Sequence, residues 1–156
     1  MIKKGVYAAT LSVLDENSSL NVEETIAHAE NIINEGLHGV FFFGSTGQSQ
    51  LISMAEKKEL VSKLPLSKLK NNFFLGTGFN SLNDNLEFIK YSMEYDFKTF
   101  LIMQPAYYKG NTEAGVFEFY TQIIKNVPKV KIILYNFEKL SDYKFEVDFV
   151  KKLKSS

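Results

Sequence analysis

Val40-Phe41-Phe42-Phe43-Gly44-Ser45-Thr46-Gly47-Gln48-Ser49 joins an uninterrupted β-branched and aromatic run to a turn of glycines and hydroxyls. Four apolar residues without alternation suit a strand buried on both faces in a parallel sheet. Just beyond, Ser53-Met54-Ala55-Glu56 is a capping-box start for a helix. The hydroxyl-rich turn therefore falls at the carboxyl end of a strand, where α/β proteins place their ligand loops. Two readings of it stand side by side: a nest of amides and hydroxyls for a small anion, or a tight turn whose glycines only supply positive φ.

Working outward, residues 6–13 form an earlier apolar run that reads as a strand, and the polar cluster 15–19 reads as a loop. Asn21 then serves as an N-cap with Glu24 three residues on, and Val22, Ile26, Ala29, Ile32 and Ile33 keep helical spacing until Gly36. The helix opened at Ser53 runs to about Leu64, where Pro65 stops it. Residues 73–76 give a third strand, followed by the turn Thr77-Gly78-Phe79-Asn80-Ser81 and a helix marked by Leu86, Ile89 and Met93. Residues 99–103 are a fourth strand, 104–111 its loop, and Val116, Phe119, Tyr120, Ile123 and Ile124 the apolar face of the next helix. Residues 130–135 complete a fifth strand, and 146–154 a fifth helix.

Five strand-then-helix units spaced by roughly 30 residues indicate α/β with a parallel sheet. A doubly wound nucleotide fold and a barrel both fit that alternation. Against the first, Asp15-Glu16-Asn17-Ser18-Ser19 lacks a Gly-rich phosphate fingerprint, and the turn at Gly44 lacks a Walker lysine. The expected fold is a partial (β/α)8 TIM barrel. A complete one takes about 250 residues. Residues 1–156 are therefore read as the amino-terminal part of a single barrel domain, roughly its first five units.

Composition narrows the function classes. Lys plus Arg and Asp plus Glu are equal at 18 each, so no net field recruits nucleic acid or anionic lipid. The absence of cysteine excludes disulfides and thiol catalysis, and two histidines without carboxylates at ligand spacing give no metal site. His28 and His38 are read as structural. No segment has enough uninterrupted apolar residues to span a bilayer, and the chain enters its first strand at once, so a cytoplasmic protein is expected.

Four loop segments together resemble the dihydrodipicolinate synthase and N-acetylneuraminate lyase family of class I aldolases. They are Gly44-Ser45-Thr46-Gly47-Gln48-Ser49, Gly76-Thr77-Gly78-Phe79-Asn80, Gln104-Pro105-Ala106-Tyr107-Tyr108 and Leu134-Tyr135-Asn136, each at or just after the end of an expected strand. The resemblance implies a (β/α)8 barrel in which a lysine on the sixth strand forms a Schiff base with pyruvate or a related 2-keto acid, for carbon–carbon bond cleavage or formation with an aldehyde co-substrate. It further implies carboxylate binding by Ser45 and Thr46, a relay hydroxyl at Ser45, and proton passage at Tyr135. Tyr108 matches a tyrosine that completes the relay of a neighbouring subunit, so a homo-oligomer, dimer or tetramer, is implied, with no cofactor. Without the neighbouring motifs, Tyr135 reads sooner as a buried ring with a hydrogen-bonded hydroxyl, and Tyr107 and Tyr108 as loop packing or a subunit contact without catalysis.

The departures from the family pattern carry information too. Gln48 stands where the family has glutamate. Phe137-Glu138-Lys139-Leu140-Ser141-Asp142 lacks the synthase's proline and arginine, and its Leu-Ser is closer to the sugar-acid lyase branch. The chain ends before a sixth strand, and Lys151, Lys152 and Lys154 fall on a charged helix end where solvated lysines stay protonated. The bare chain is expected to be inactive. The alternatives are a non-catalytic 2-keto-acid-binding or subunit-interaction module and, within the family, a dihydrodipicolinate synthase.

Overall fold

Strand amides need partners, and each of the five apolar runs finds them in the next run along the chain. In the computed structural model, which describes residues 2–155, β1 (Tyr7–Ala9), β2 (Gly39–Phe42), β3 (Phe73–Gly76), β4 (Thr99–Ile102) and β5 (Lys131–Leu134) make one parallel sheet in that order. The order separates the two architectures that alternation left open. A doubly wound sheet reverses at a switch point, whereas a barrel adds each strand beside its predecessor. The chain is an arc of five barrel strands.

The helices start where the sequence places their caps. Asn21 accepts the Glu24 amide at the head of α1 (Val22–Asn34), and Ser53 with Glu56 forms a complete capping box on α2 (Met54–Lys63). Ser81 and Thr112 cap α3 (Leu82–Glu94) and α4 (Glu113–Asn126) in the same way. A four-residue α5 (Glu138–Ser141) and α6 (Val147–Lys154) follow β5. The helices lie along one face of the sheet, α1 on α2, α2 on α3, α3 on α4 and α4 on α6. Between them and the strands Val40, Phe42, Leu75, Phe100, Leu60 and Phe88 are fully buried. Each such side chain contributes about 1.5–3 kcal/mol relative to exposure.

The other face differs from the expectation. Phe41 is only half-buried, stacked on Phe74 at 5.2 Å and edge-on to Tyr7 at 6.1 Å. β2 is thus closed on its helix side alone, because among the described residues no further strand lies across the concave side of the arc. The first strand is also shorter than residues 6–13. Asp15 takes the amides of Asn17 and Ser19 at 2.9 Å each, and Leu14 bridges Leu20 antiparallel, so the segment folds back locally before α1. The fifth unit gains α5, which four residues cannot announce by periodicity.

Candidate functional site

The end of β2 is shaped by a conformation usually left to glycine. Phe43 has φ 58° and Gln48 φ 50°, while Gly44 and Gly47 have no positive φ. The reading in which the glycines supply positive φ is therefore corrected. Burial holds Phe43 in this strained state: its ring is 2% exposed, edge-on to Phe88 at 6.1 Å. Gly76 makes room for it, since a methyl group there would lie 2.5 Å from the Phe43 carbonyl oxygen. Gly47 is small for a similar reason, with the Thr10 carbonyl oxygen 2.9 Å from where a Cβ would sit, and its own carbonyl accepts the Ser12 hydroxyl at 2.6 Å. Bonds from the Gln48 amide to Ser45 O and the Ser49 amide to Gly44 O close the turn.

At the same end of the sheet, the Tyr135 amide extends the β4–β5 ladder to Ile102 O, and the Tyr135 hydroxyl lies 2.7 Å from Ser45 Oγ. Both residues line a cavity of about 290 Å³ with Gln48, Leu101, Met103 and Leu140 among its other walls. Thr46, next to Ser45, is exposed and stands off that lining. Tyr108 is 81% exposed, edge-on to Tyr107 at 5.0 Å and outside the cavity. Of the four residues singled out in the sequence, the fold brings Ser45 and Tyr135 together and leaves Thr46 and Tyr108 apart. Among the described residues the Ser45 and Thr46 amides have no intramolecular acceptor, so both are open donors at a strand end. Paired hydroxyls in a mostly apolar hollow can pass a proton between them, and free amides beside them suit a carboxylate.

Other residues of the site escape the sequence reading. Gln50 donates to Gly78 O at 2.5 Å and accepts from Asn80 at 2.9 Å, and Asn80 Oδ1 accepts the amides of Ala106 and Tyr107. Three loops are thereby joined at one rim. The Lys109 ammonium reaches Leu140 O and the Gly110 amide reaches Asp142, tying the loop after β4 to α5.

Lys57 is the larger omission. It is fully buried, donates to Thr77 O at 2.9 Å and sits over the Phe79 ring at 3.7 Å. Burial lowers its pKa to about 7, with Asp84 opposing. The signal was present: Lys57 shares a helical stripe with Leu60, Val61 and Leu64, the buried face of α2. Its neighbour Glu56 is held below the usual carboxylate range by the Ser53 hydroxyl and the Leu20 amide. His38 accepts the Val6 amide at 3.1 Å. Among the described residues no group of three His, Cys, Asp or Glu is placed to hold a metal ion, and no helix is long and apolar enough to cross a membrane.

Comparison with known proteins agrees with this geometry. Residues 3–156 match the Dihydrodipicolinate synthetase family. An L-threo-3-deoxy-hexylosonate aldolase of Aspergillus niger is 28% identical over 145 residues, 87% of this chain and 43% of its own. A 4-hydroxy-tetrahydrodipicolinate synthase of Magnetococcus marinus is 31% identical over 134 residues, 85% of this chain and 45% of its own. The chain thus spans less than half the length of these two relatives. A prophage protein of the dihydrodipicolinic acid synthase family from E. coli K12, solved in complex with pyruvate, superposes with a TM-score of 0.83 at 22% identity, covering 99% of this chain and 52% of that one. The superposition establishes the shared fold.

Proposed function

Because the chain belongs to the Dihydrodipicolinate synthetase family, we propose that it supplies the keto-acid-binding half of a Schiff-base-forming carbon–carbon lyase or aldolase. In this reading Ser45 and Thr46 hold the carboxylate of pyruvate or a related 2-keto acid, and Tyr135 with Ser45 moves protons at the keto carbon. A lysine amine beyond residue 156 adds to that carbon, and water leaves to give the protonated imine. No cofactor is needed, since the imine is itself the electron sink. An aldehyde is the co-substrate, and the sugar-acid branch is preferred over the synthase because Leu140 borders the cavity within the Leu-Ser pair. The protein works in the cytoplasm as a homo-oligomer, dimer or tetramer, in which the exposed Tyr108 completes a neighbouring relay. Residues 1–156 form the amino-terminal part of one barrel domain.

The observation that carries this reading is the 2.7 Å contact of Ser45 and Tyr135 on the wall of one cavity at the carboxyl end of the sheet. Pyruvate with borohydride, applied to the product of the parent reading frame, is expected to leave a reduced adduct on a lysine beyond residue 156. The 156-residue chain alone is expected to bind pyruvate without adduct or turnover. No adduct in the longer product would overturn the enzymatic reading. A second reading, a non-catalytic 2-keto-acid-binding or subunit-interaction module, draws on the short span relative to its relatives. It gains if the isolated chain binds pyruvate and co-purifies with a full-length homologue.

A further inference from the structure

A lysine on the buried stripe of a helix is costly unless its amino group has a task, because desolvating an ammonium is unfavourable. Lys57 projects from α2 into the seam between the two glycine-containing turns of the site. Its Nζ donates to Thr77 O at 2.9 Å, lies 3.7 Å from the Phe79 ring centroid and 5.5 Å from that of Phe43. Those three contacts reach the 76–80 turn on one side and the residue preceding Gly44 on the other. Gly78, at φ 65°, forms the partition: a methyl group there would lie 1.6 Å from Ser49 Oγ and 3.2 Å from Lys57 Nζ. Ser49 and Gly78 are also walls of the cavity that holds Ser45 and Tyr135. The amino group therefore stands directly behind the cavity wall, separated from it by the Gly78 and Ser49 contact.

Three further observations fit a designed seam. The buried hydroxyls of Ser49 and Thr77 have no partner among the described residues, so polar groups are gathered here without being consumed by local structure. Asn85 in α3 fixes the far end of the same turn by donating to Phe79 O and Ser81 O. The charges nearest in sequence on α2 are engaged elsewhere, Glu56 with Ser53 and the Leu20 amide, and Lys58 with Glu87. Asp84, in the first turn of α3, is the charged group acting on the ammonium from across the seam.

We infer that Lys57 is a positioning residue, a buried clamp that holds the 76–80 turn against the Gly44–Ser49 turn and so sets the wall of the cavity. The inference rests on the 2-keto-acid reading for its ligand but not for its geometry. Protonated, the clamp has a charge-assisted bond to Thr77 O and a cation–π contact with Phe79. Neutral, it keeps the hydrogen bond to Thr77 O without the desolvation cost of the ammonium. Burial disfavours the charged form and brings this change to about pH 7, so opening the turns to water takes up a proton above that pH, and the turns tighten as pH rises from 6 to 9.

The test is residue-resolved amide hydrogen exchange of the whole chain at pH 6, 7, 8 and 9, corrected for intrinsic rates, on the wild type and Lys57→Met, with pyruvate titrated into each. Wild-type protection at 44–49 and 77–80 is expected to rise with pH, over and above any rise shared by the α4 amides. Lys57→Met is expected to exchange about tenfold faster than wild type at those turns at pH 9, with no pH dependence there and a smaller change in the α4 amides. Its pyruvate affinity falls in parallel. Turns that ignore the substitution, loosening spread equally over α4, or a flat wild-type pH series would each overturn the clamp. Should the variant not fold, the wild-type series decides alone. A borohydride-trapped pyruvate adduct on Lys57 would also overturn it, by making the amine a reactant. Wild-type protein showing the exchange pattern but no pyruvate binding would support the clamp and count against the 2-keto-acid reading.

Discussion

Two parts of the site end are built in opposite ways. Around the junction of β2, β3 and α2, Phe43, Gly47, Ser49, Lys57 and Thr77 are buried, and backbone approaches backbone closely enough that Gly76 has no room for a methyl group. In the loop after β4, Tyr107, Tyr108, Lys109 and Gly110 are exposed, and nothing lies within 4 Å of where a Gly110 Cβ would sit. Both loops carry residues that the family likeness marks. The difference separates a part whose geometry is set within this chain from a part that presents side chains outward.

The sharpest way to break that contrast is to substitute its glycines. Gly76→Ala should destabilise the fold by about 3 kcal/mol in urea unfolding, because the new Cβ meets the Phe43 backbone rather than a yielding side chain. A loss under about 1 kcal/mol would mean that the junction gives way and is not the rigid part. The next effect belongs to Lys57. Unfolded, the lysine holds its proton up to a pH near 10.4. Folded, it releases it at about 7, so between those values the unfolded chain binds more protons and stability increases with pH. The gain should be on the order of 2 kcal/mol between pH 7 and 9, read from urea midpoints, and it should vanish in Lys57→Met. A slope that survives the substitution assigns the effect to another group.

On the open side the effects shrink. Gly110→Ala should cost about 1 kcal/mol, the strain of φ 77° alone, since no atom obstructs the methyl group. A larger loss would show the loop to be packed after all. Smallest is Tyr108→Ala, expected within about 0.5 kcal/mol of wild-type stability. Light scattering of the protein carrying it would then report whether the ring acts between subunits, a role that leaves the unfolding curve of the single chain untouched.

Much of this was legible in the residues, and the exceptions have physical causes. The bounds 73–76 of β3 match because an apolar run ends in a glycine turn, and Ser53 announced α2 because a capping box is a local hydrogen-bond pattern. Strand order was not legible in periodicity, which is the same for barrels and doubly wound sheets. Phe43 gave no hint of its left-handed backbone, since tertiary burial rather than residue type keeps it there. Lys57 belongs to no motif and a lone helix lysine reads as a solvated charge, although its place in the apolar stripe of α2 is visible in the spacing to Leu60, Val61 and Leu64. The pairing of Ser45 with Tyr135 was reachable only through likeness to the family, as no local rule joins residues that far apart.

That pairing has a kinetic consequence. Every strand pairs with one about 30 residues away, so the sheet can grow unit by unit. The hydroxyl contact spans 90 residues, and the order of four strands, β2 to β5, must precede it. It should be among the last native contacts to form, with a hydroxyl-deleting change at either end speeding unfolding while leaving the folding rate alone. The cavity is then a checkpoint on assembly, closing only once β5 has docked.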